Sequence, residues 1–140
     1  ERGDYTDFHL RAEVKVNPDG NGGLYFRSPF AFHTHQGNLF PGGYEAQILC
    51  SYPRSGAQWT GSLYGSGGPT KSPAAADEWF RLEVIARGDR LVVRVNGVET
   101  ATATDGKYRT GHLALQAMSR TGRATGRWTS RPTSTWASTR

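Results

Sequence analysis

The chain has one cysteine, Cys50, so it can form no internal disulfide, and its redox compartment stays open. It has no apolar run long enough to span a bilayer and no long stretch of period 3.6. A membrane-spanning helix and a helical bundle are both excluded. It opens on Glu1-Arg2-Gly3-Asp4, with neither an initiator Met nor a signal peptide, the start expected of a trimmed or partial product. Acidic residues are missing from the last segment, which holds Arg120, Arg123, Arg127, Arg131 and Arg140. Setting those aside leaves the remaining basic residues balanced against the 12 acids, so the net charge of +5 belongs to the tail. A neutral body does not point to nucleic acid as a partner.

What the chain has is glycine, 18 residues of it among Thr, Val and aromatics, and this favours a β protein. At 140 residues one domain is expected, long enough to bury a core. Phe8, Leu10, Ala12, Val14 and Val16 alternate with polar residues, which predicts a half-buried strand ending at the turn Asn17-Pro18-Asp19-Gly20. Leu24 and Phe26 alternate with Tyr25 and Arg27 in a second, short strand. The stretch from Pro29 to Pro41 reads as a loop, and His33 and His35 within it could join a third ligand around a divalent metal, although surface histidines are the plainer reading.

In Gly42-Gly43-Tyr44-Glu45-Ala46-Gln47-Ile48-Leu49-Cys50, an extended backbone sends Glu45 and Gln47 to one face and packing groups to the other. Either a solvated strand face or a polar platform for hydroxyl groups fits that pattern. Trp59 to Gly65 reads as another strand, Gly65 to Ala76 as an irregular loop, and Trp79 to Arg87 as a further alternating strand. Asn96-Gly97 between Val95 and Val98 predicts a type I′ hairpin, because both central positions need positive φ. Gly111 to Gln116 supplies one more strand. Antiparallel strands with one apolar face each predict an all-β fold of two sheets packed face to face. A domain boundary is expected at residue 117, with 118–140 as an irregular basic tail; a reading-frame slip in a GC-rich gene would produce such an ending.

Asp7-Phe8-His9-Leu10-Arg11-Ala12-Glu13, Asn21-Gly22-Gly23-Leu24-Tyr25-Phe26-Arg27-Ser28, Gly43-Tyr44-Glu45-Ala46-Gln47-Ile48-Leu49, Thr60-Gly61-Ser62-Leu63-Tyr64-Gly65, Asp77-Glu78-Trp79-Phe80, Val95-Asn96-Gly97 and Gly111-His112-Leu113-Ala114-Leu115-Gln116 occur in this order. Together, over roughly Tyr5 to Gln116, they resemble the bacterial 3-keto-disaccharide hydrolase domain, similar in fold to concanavalin-like lectins and glucanases. The resemblance implies a jelly-roll sandwich in an exported, periplasmic or secreted protein that acts on carbohydrate. The chain departs from that pattern in lacking an earlier strand pair, in placing Cys50 where Asp is frequent, and in lacking a closing strand with a Phe-Arg pair.

Ordinary glycoside hydrolysis needs two carboxyl groups flanking the bond, and the central strand offers only Glu45. The resemblance implies a different reaction, in which a 3-ketone acidifies the C2 hydrogen and one base suffices. Glu45 is then the expected base and Arg27, or a bound metal, the electrophile. Gln47, Tyr64, Gln116, Tyr25 and Trp59 are the expected substrate contacts. The alternatives at each position are structural. Arg27 can pair with Glu45, Tyr64 and Trp59 can pack, His112 can sit as a satisfied residue, and Cys50 can fill a small buried space. A non-catalytic carbohydrate-binding module and a protein-interaction domain are the competing functions.

Overall fold

The computed structural model describes residues 5–29, 31–35, 38–51, 56–119, 131–132 and 136–138. Strands β1 (Asp7–Val14), β2 (Gly20–Ser28), β3 (Phe32–His35), β4 (Asn38–Pro41) and β5 (Tyr44–Ile48) precede a 3-10 turn at Gly56–Gln58. β6 (Phe80–Arg87), β7 (Arg90–Val95), β8 (Val98–Thr104), β9 (His112–Ser119), β10 (Arg131–Pro132) and β11 (Trp136–Ser138) follow. The larger sheet runs β10-β1-β6-β7-β8, with β11 also on β1, and the smaller runs β5-β2-β9. All pairings are antiparallel. The result is the expected two-sheet sandwich of the jelly-roll class. Among the described residues no helix is long and apolar enough to cross a membrane.

Alternation decides what lies between the sheets. Phe8, Val14, Phe80, Leu82, Val84, Ala86, Leu91, Val93 and Val95 face inward from the large sheet, and Leu24, Phe26, Ala46 and Ile48 from the small one. Phe8 meets Phe26 edge-on across the gap, at 6.0 Å between ring centroids. On the outer face of the large sheet Arg11, Glu83, Arg94 and Glu99 fall in one cross-strand row, so each charge there lies opposite its complement.

Several expectations are revised. Within the stretch expected to be a loop, β3 and β4 pair antiparallel, with His33 stacked on Phe40; residues 30, 36 and 37 lie outside the described residues. Trp59 to Gly65 is no regular strand, because Gly61 (φ 85°) and Gly65 (φ 77°) take positive φ that breaks the pleat. Its backbone nevertheless lines the edge of β5, through Thr60 N to Leu49 O, Gly61 N to Gln47 O and Tyr64 N to Glu45 O. The Asn96-Gly97 turn forms as expected, with φ of 51° and 84°. β9 runs on to Ser119, and β10 and β11 pair with β1, so parts of the segment expected to be an irregular tail carry strand structure. The rest of that tail, 120–130, 133–135 and 139–140, lies outside the described residues.

Candidate functional site

β2 is the middle strand of the small sheet, and its register decides which side chains share a face. Tyr25 lies opposite Glu45 on one side and Ala114 on the other. Gly23 lies opposite Gln47 and Gln116, and Asn21 opposite Met118. Directly opposed residues project to the same side, so Glu45, Tyr25, Gln47, Gln116, Asn21 and Met118 share the sheet face turned away from the core. At its centre is a residue with no side chain. A Cβ at Gly23 would overlap the Glu45 carboxyl, so glycine there is what lets the carboxylate lie across β2.

The Tyr25 hydroxyl donates to Glu45 Oε2 at 2.9 Å. The Gln47 amide can hold its nitrogen against Asn21 Oδ1 at 3.1 Å. Turned over, it donates to the Gly22 carbonyl at 3.0 Å and to Glu45 Oε1 at 3.1 Å, with its oxygen facing the Asn21 amide at 3.1 Å. The second orientation satisfies both ends and holds both carboxylate oxygens. Glu45 itself remains partly accessible, whereas Tyr25 and Gln47 are buried.

Burial pushes the Glu45 carboxyl up to about 7, against the smaller, opposing pull of the Tyr25 hydrogen bond. Burial also raises the Tyr25 phenol, reinforced by the Glu45 charge and hydrogen bond and then by the nearby Tyr64 phenol. Tyr25 therefore stays protonated and a donor, while Glu45 exchanges its proton near neutrality. A carboxyl group of that strength, held by two donors, can act as a general base near neutral pH.

Tyr64 is half exposed and follows directly from β5's edge, its amide bound to the Glu45 carbonyl. Its hydroxyl accepts from Gln58 Nε2 at 3.3 Å, leaving its own proton to donate. Gln116 lies at the far side of the face, with Nε2 3.3 Å from Met118 Sδ. Trp59 is held elsewhere, its indole N–H donating to the Thr70 carbonyl at 2.9 Å and fastening the 3-10 turn to the loop that follows.

Arg27 does not join this group. A β-bulge separates Tyr25 from Ser28, and Arg27 sits in it at φ 47°. That inserted residue turns the guanidinium toward the end of the large sheet, where it is fully buried. Nη2 and Nε donate to the Thr6 carbonyl at 2.6 and 2.9 Å, and Nη1 to the Gly88 and Tyr108 carbonyls at 2.6 and 3.3 Å. Asp7 Oδ1 pairs with Nη2 at 3.3 Å. The expected roles of electrophile and of ion-pair partner to Glu45 are both set aside, because every donor direction is taken by the clasp that Arg27 forms.

His112 Nδ1 lies 3.2 Å from the Ser28 carbonyl, and Cys50 Sγ 3.3 Å from Thr60 Oγ1 beside the core. His33 is exposed on the β3–β4 hairpin, and of His35 only the backbone is described. Among the described residues no group of three or more His, Cys, Asp or Glu side chains is placed to hold a metal ion.

The Tyr25–Glu45 pair, the Glu45 carboxyl lying across Gly23 and the flanking Asn21 and Met118 are features of this face that pattern reading missed. Alternation put Tyr25 and Glu45 on outward faces of their own strands, but only the register brings them together.

A family model for the 3-keto-alpha-glucoside-1,2-lyase-like domain matches residues 1–125. Two solved structures from Parabacteroides distasonis ATCC 8503, provisionally described as glycosyl hydrolases, share the fold. One has a TM-score of 0.65 at 19% identity over 81% of this chain and 65% of its own. The other has a TM-score of 0.63 at 17% identity over 81% of this chain and 71% of its own. The chain thus spans about two thirds of the length of these relatives. The carbohydrate-binding module CBM66 from Bacillus subtilis matches more loosely, with a TM-score of 0.48 at 16% identity over 80% of this chain and 70% of its own. No curated protein matches the chain.

Proposed function

Because the chain belongs to the 3-keto-alpha-glucoside-1,2-lyase-like domain family, we propose that the β5–β2–β9 face cleaves 3-keto-glycosides by elimination and hydration, with Glu45 as base. The observation that carries this reading is Glu45 itself, raised to about 7, hydrogen-bonded to Tyr25 and lying over Gly23. Glu45 takes the proton from C2, and the electron pair moves into the adjacent ketone to give an enolate. The enolate collapses, the C1–O bond breaks, and the departing oxygen takes the proton that Glu45 carries, leaving as the free alcohol or sugar and restoring the carboxylate. Water then adds across the resulting double bond, its hydroxyl to C1 and a proton to C2, giving the free 3-keto-sugar.

Tyr64 is the donor on this face best suited to the enolate oxygen, since its hydroxyl proton is uncommitted when it accepts from Gln58. Gln116 provides an amide for the ring hydroxyls, while the buried Gln47 holds the Glu45 carboxylate in place. An exported setting, periplasmic or secreted, belongs to the same proposal and rests on the resemblance alone. Incubating the protein with a 3-keto-disaccharide and following the released 3-keto-monosaccharide tests the reading. Turnover that Glu45→Gln abolishes supports it. Saturable glycan binding with no turnover instead assigns the face to a non-catalytic carbohydrate-binding module.

A further inference from the structure

The buried Gln47 amide lies between three polar groups, the Gly22 carbonyl, the Glu45 carboxyl and the Asn21 amide. A side-chain amide carries two donors on its nitrogen and only acceptors on its oxygen. With its oxygen toward Gly22 and Glu45, Gln47 would set acceptor against acceptor at 3.0 and 3.1 Å. A backbone carbonyl never donates, so Gly22 demands the Gln47 nitrogen whatever the charge on Glu45. Both Gln47 protons are then committed, one to Gly22 and one to Glu45.

The consequence falls on Asn21. Gln47 turns its oxygen to Asn21 at 3.1 Å, and only the Asn21 nitrogen can satisfy it. The Asn21 oxygen therefore faces away from Gln47. Asn21 lies opposite Met118, on the sheet face that carries Glu45, Tyr25 and Gln116. It is partly accessible, and Gln47 is the one hydrogen-bond partner of its side chain among the described residues. Two hydrogen bonds of 3.1 Å joined by one amide group put Asn21 within about 9 Å of Glu45 Oε1. One sugar ring can touch both. With Glu45 at the C2 hydrogen, the C2 hydroxyl sits on the reacting carbon, whereas the hydroxyls on C4 and C6 lie farther from it.

We propose that Asn21 is a further substrate-binding residue of this face, its nitrogen held by Gln47 and its oxygen accepting a hydrogen bond from the C4 or C6 hydroxyl of the sugar. The assignment rests on the proposed carbohydrate reading and adds to it the polarity of one contact. Asn21 is specificity-determining and touches none of the reacting atoms.

The test uses methyl 3-keto-glucoside and its 4-deoxy-4-fluoro and 6-deoxy-6-fluoro analogues, on the parent protein and on Asn21→Leu. Fluorine removes the hydroxyl's donor and nearly keeps its size. In the parent, one of the two analogues should show a KM raised about fivefold over the unmodified sugar, the weight of one neutral hydrogen bond. In Asn21→Leu that penalty should disappear. Each penalty is a ratio within one protein, so general damage to the variant cancels, and Asn21→Ser repeats the comparison if Asn21→Leu does not fold. Equal penalties in parent and variant, or no penalty in the parent at either position, overturn the proposal. If the parent binds the sugars without turning them over, the proposed reaction fails by itself. The same ratios, read as Kd by calorimetry, then judge Asn21 by the same criterion. Neither turnover nor binding overturns both.

Discussion

Taking water from around the Glu45 carboxylate disfavours its charge, and the Tyr25 hydroxyl at 2.9 Å recovers only part of that cost, which leaves the group titrating near 7. The base must be ionised to act, so kcat/KM should rise with pH along a limb centred near 7. A limb near the ordinary carboxylate value contradicts the assignment. The same shift has a stability consequence. Between the ordinary value of 4.5 and about 7 the folded chain holds a proton that the unfolded chain has released. Stability from this group is therefore full below 4.5 and is lost as pH rises through about 7. Glu45→Gln removes the penalty, so urea melts should show the variant gaining on the parent between pH 5 and 8. The gain is roughly 2 kcal/mol, taking about 1.4 kcal/mol per pKa unit and discounting for partial solvent access. Gly23→Ala tests the close approach of the carboxylate to β2. Its Cβ displaces Glu45 and should lower kcat by about 100-fold, the scale expected of a misplaced catalytic group.

β2 carries both the site and the clasp, and one inserted residue separates them. Alternation from Leu24 to Arg27 predicts Tyr25 and Arg27 on a common face, and for Tyr25 the pattern is right. At Arg27 the bulge reverses the side, and no Gly or Asn announces a residue in the left-handed region there. The strand itself was legible from its alternation; the break in its pleat was not, because it is imposed by carbonyls of Thr6, Gly88 and Tyr108 that are distant in sequence. The hairpin of β3 and β4 was hidden for a related reason, since apolar groups on both of its faces blur the period-2 signal. Arg27→Met should lower stability by about 1–3 kcal/mol, because it leaves the Thr6, Gly88 and Tyr108 carbonyls without their donor. Activity that survives should keep its pH limb near 7. A variant that folds with parental stability and loses only kcat would return Arg27 to the reaction.

For the molecule as a whole, composition and alternation were enough to reach a two-sheet sandwich, and the asparagine-glycine turn was readable to the residue. Which strands pair was not readable, because β1 finds β6 across more than sixty residues and an apolar face carries no address for its partner. The site inherits that limit, being made by register between β5, β2 and β9 rather than by any contiguous motif. What the assembled sandwich does is turn its packing residues inward and leave one weak acid, its phenol partner and two amides on an outer face. Cleaving a 3-keto-glycoside in deuterium oxide tests that arrangement most directly, with the product read at C2 by NMR. Removal of the C2 proton by Glu45 and later hydration predict deuterium at C2 of the released 3-keto-sugar with the parent protein, above the level that Glu45→Gln gives. Cleavage by the parent protein with protium retained at C2 would contradict it.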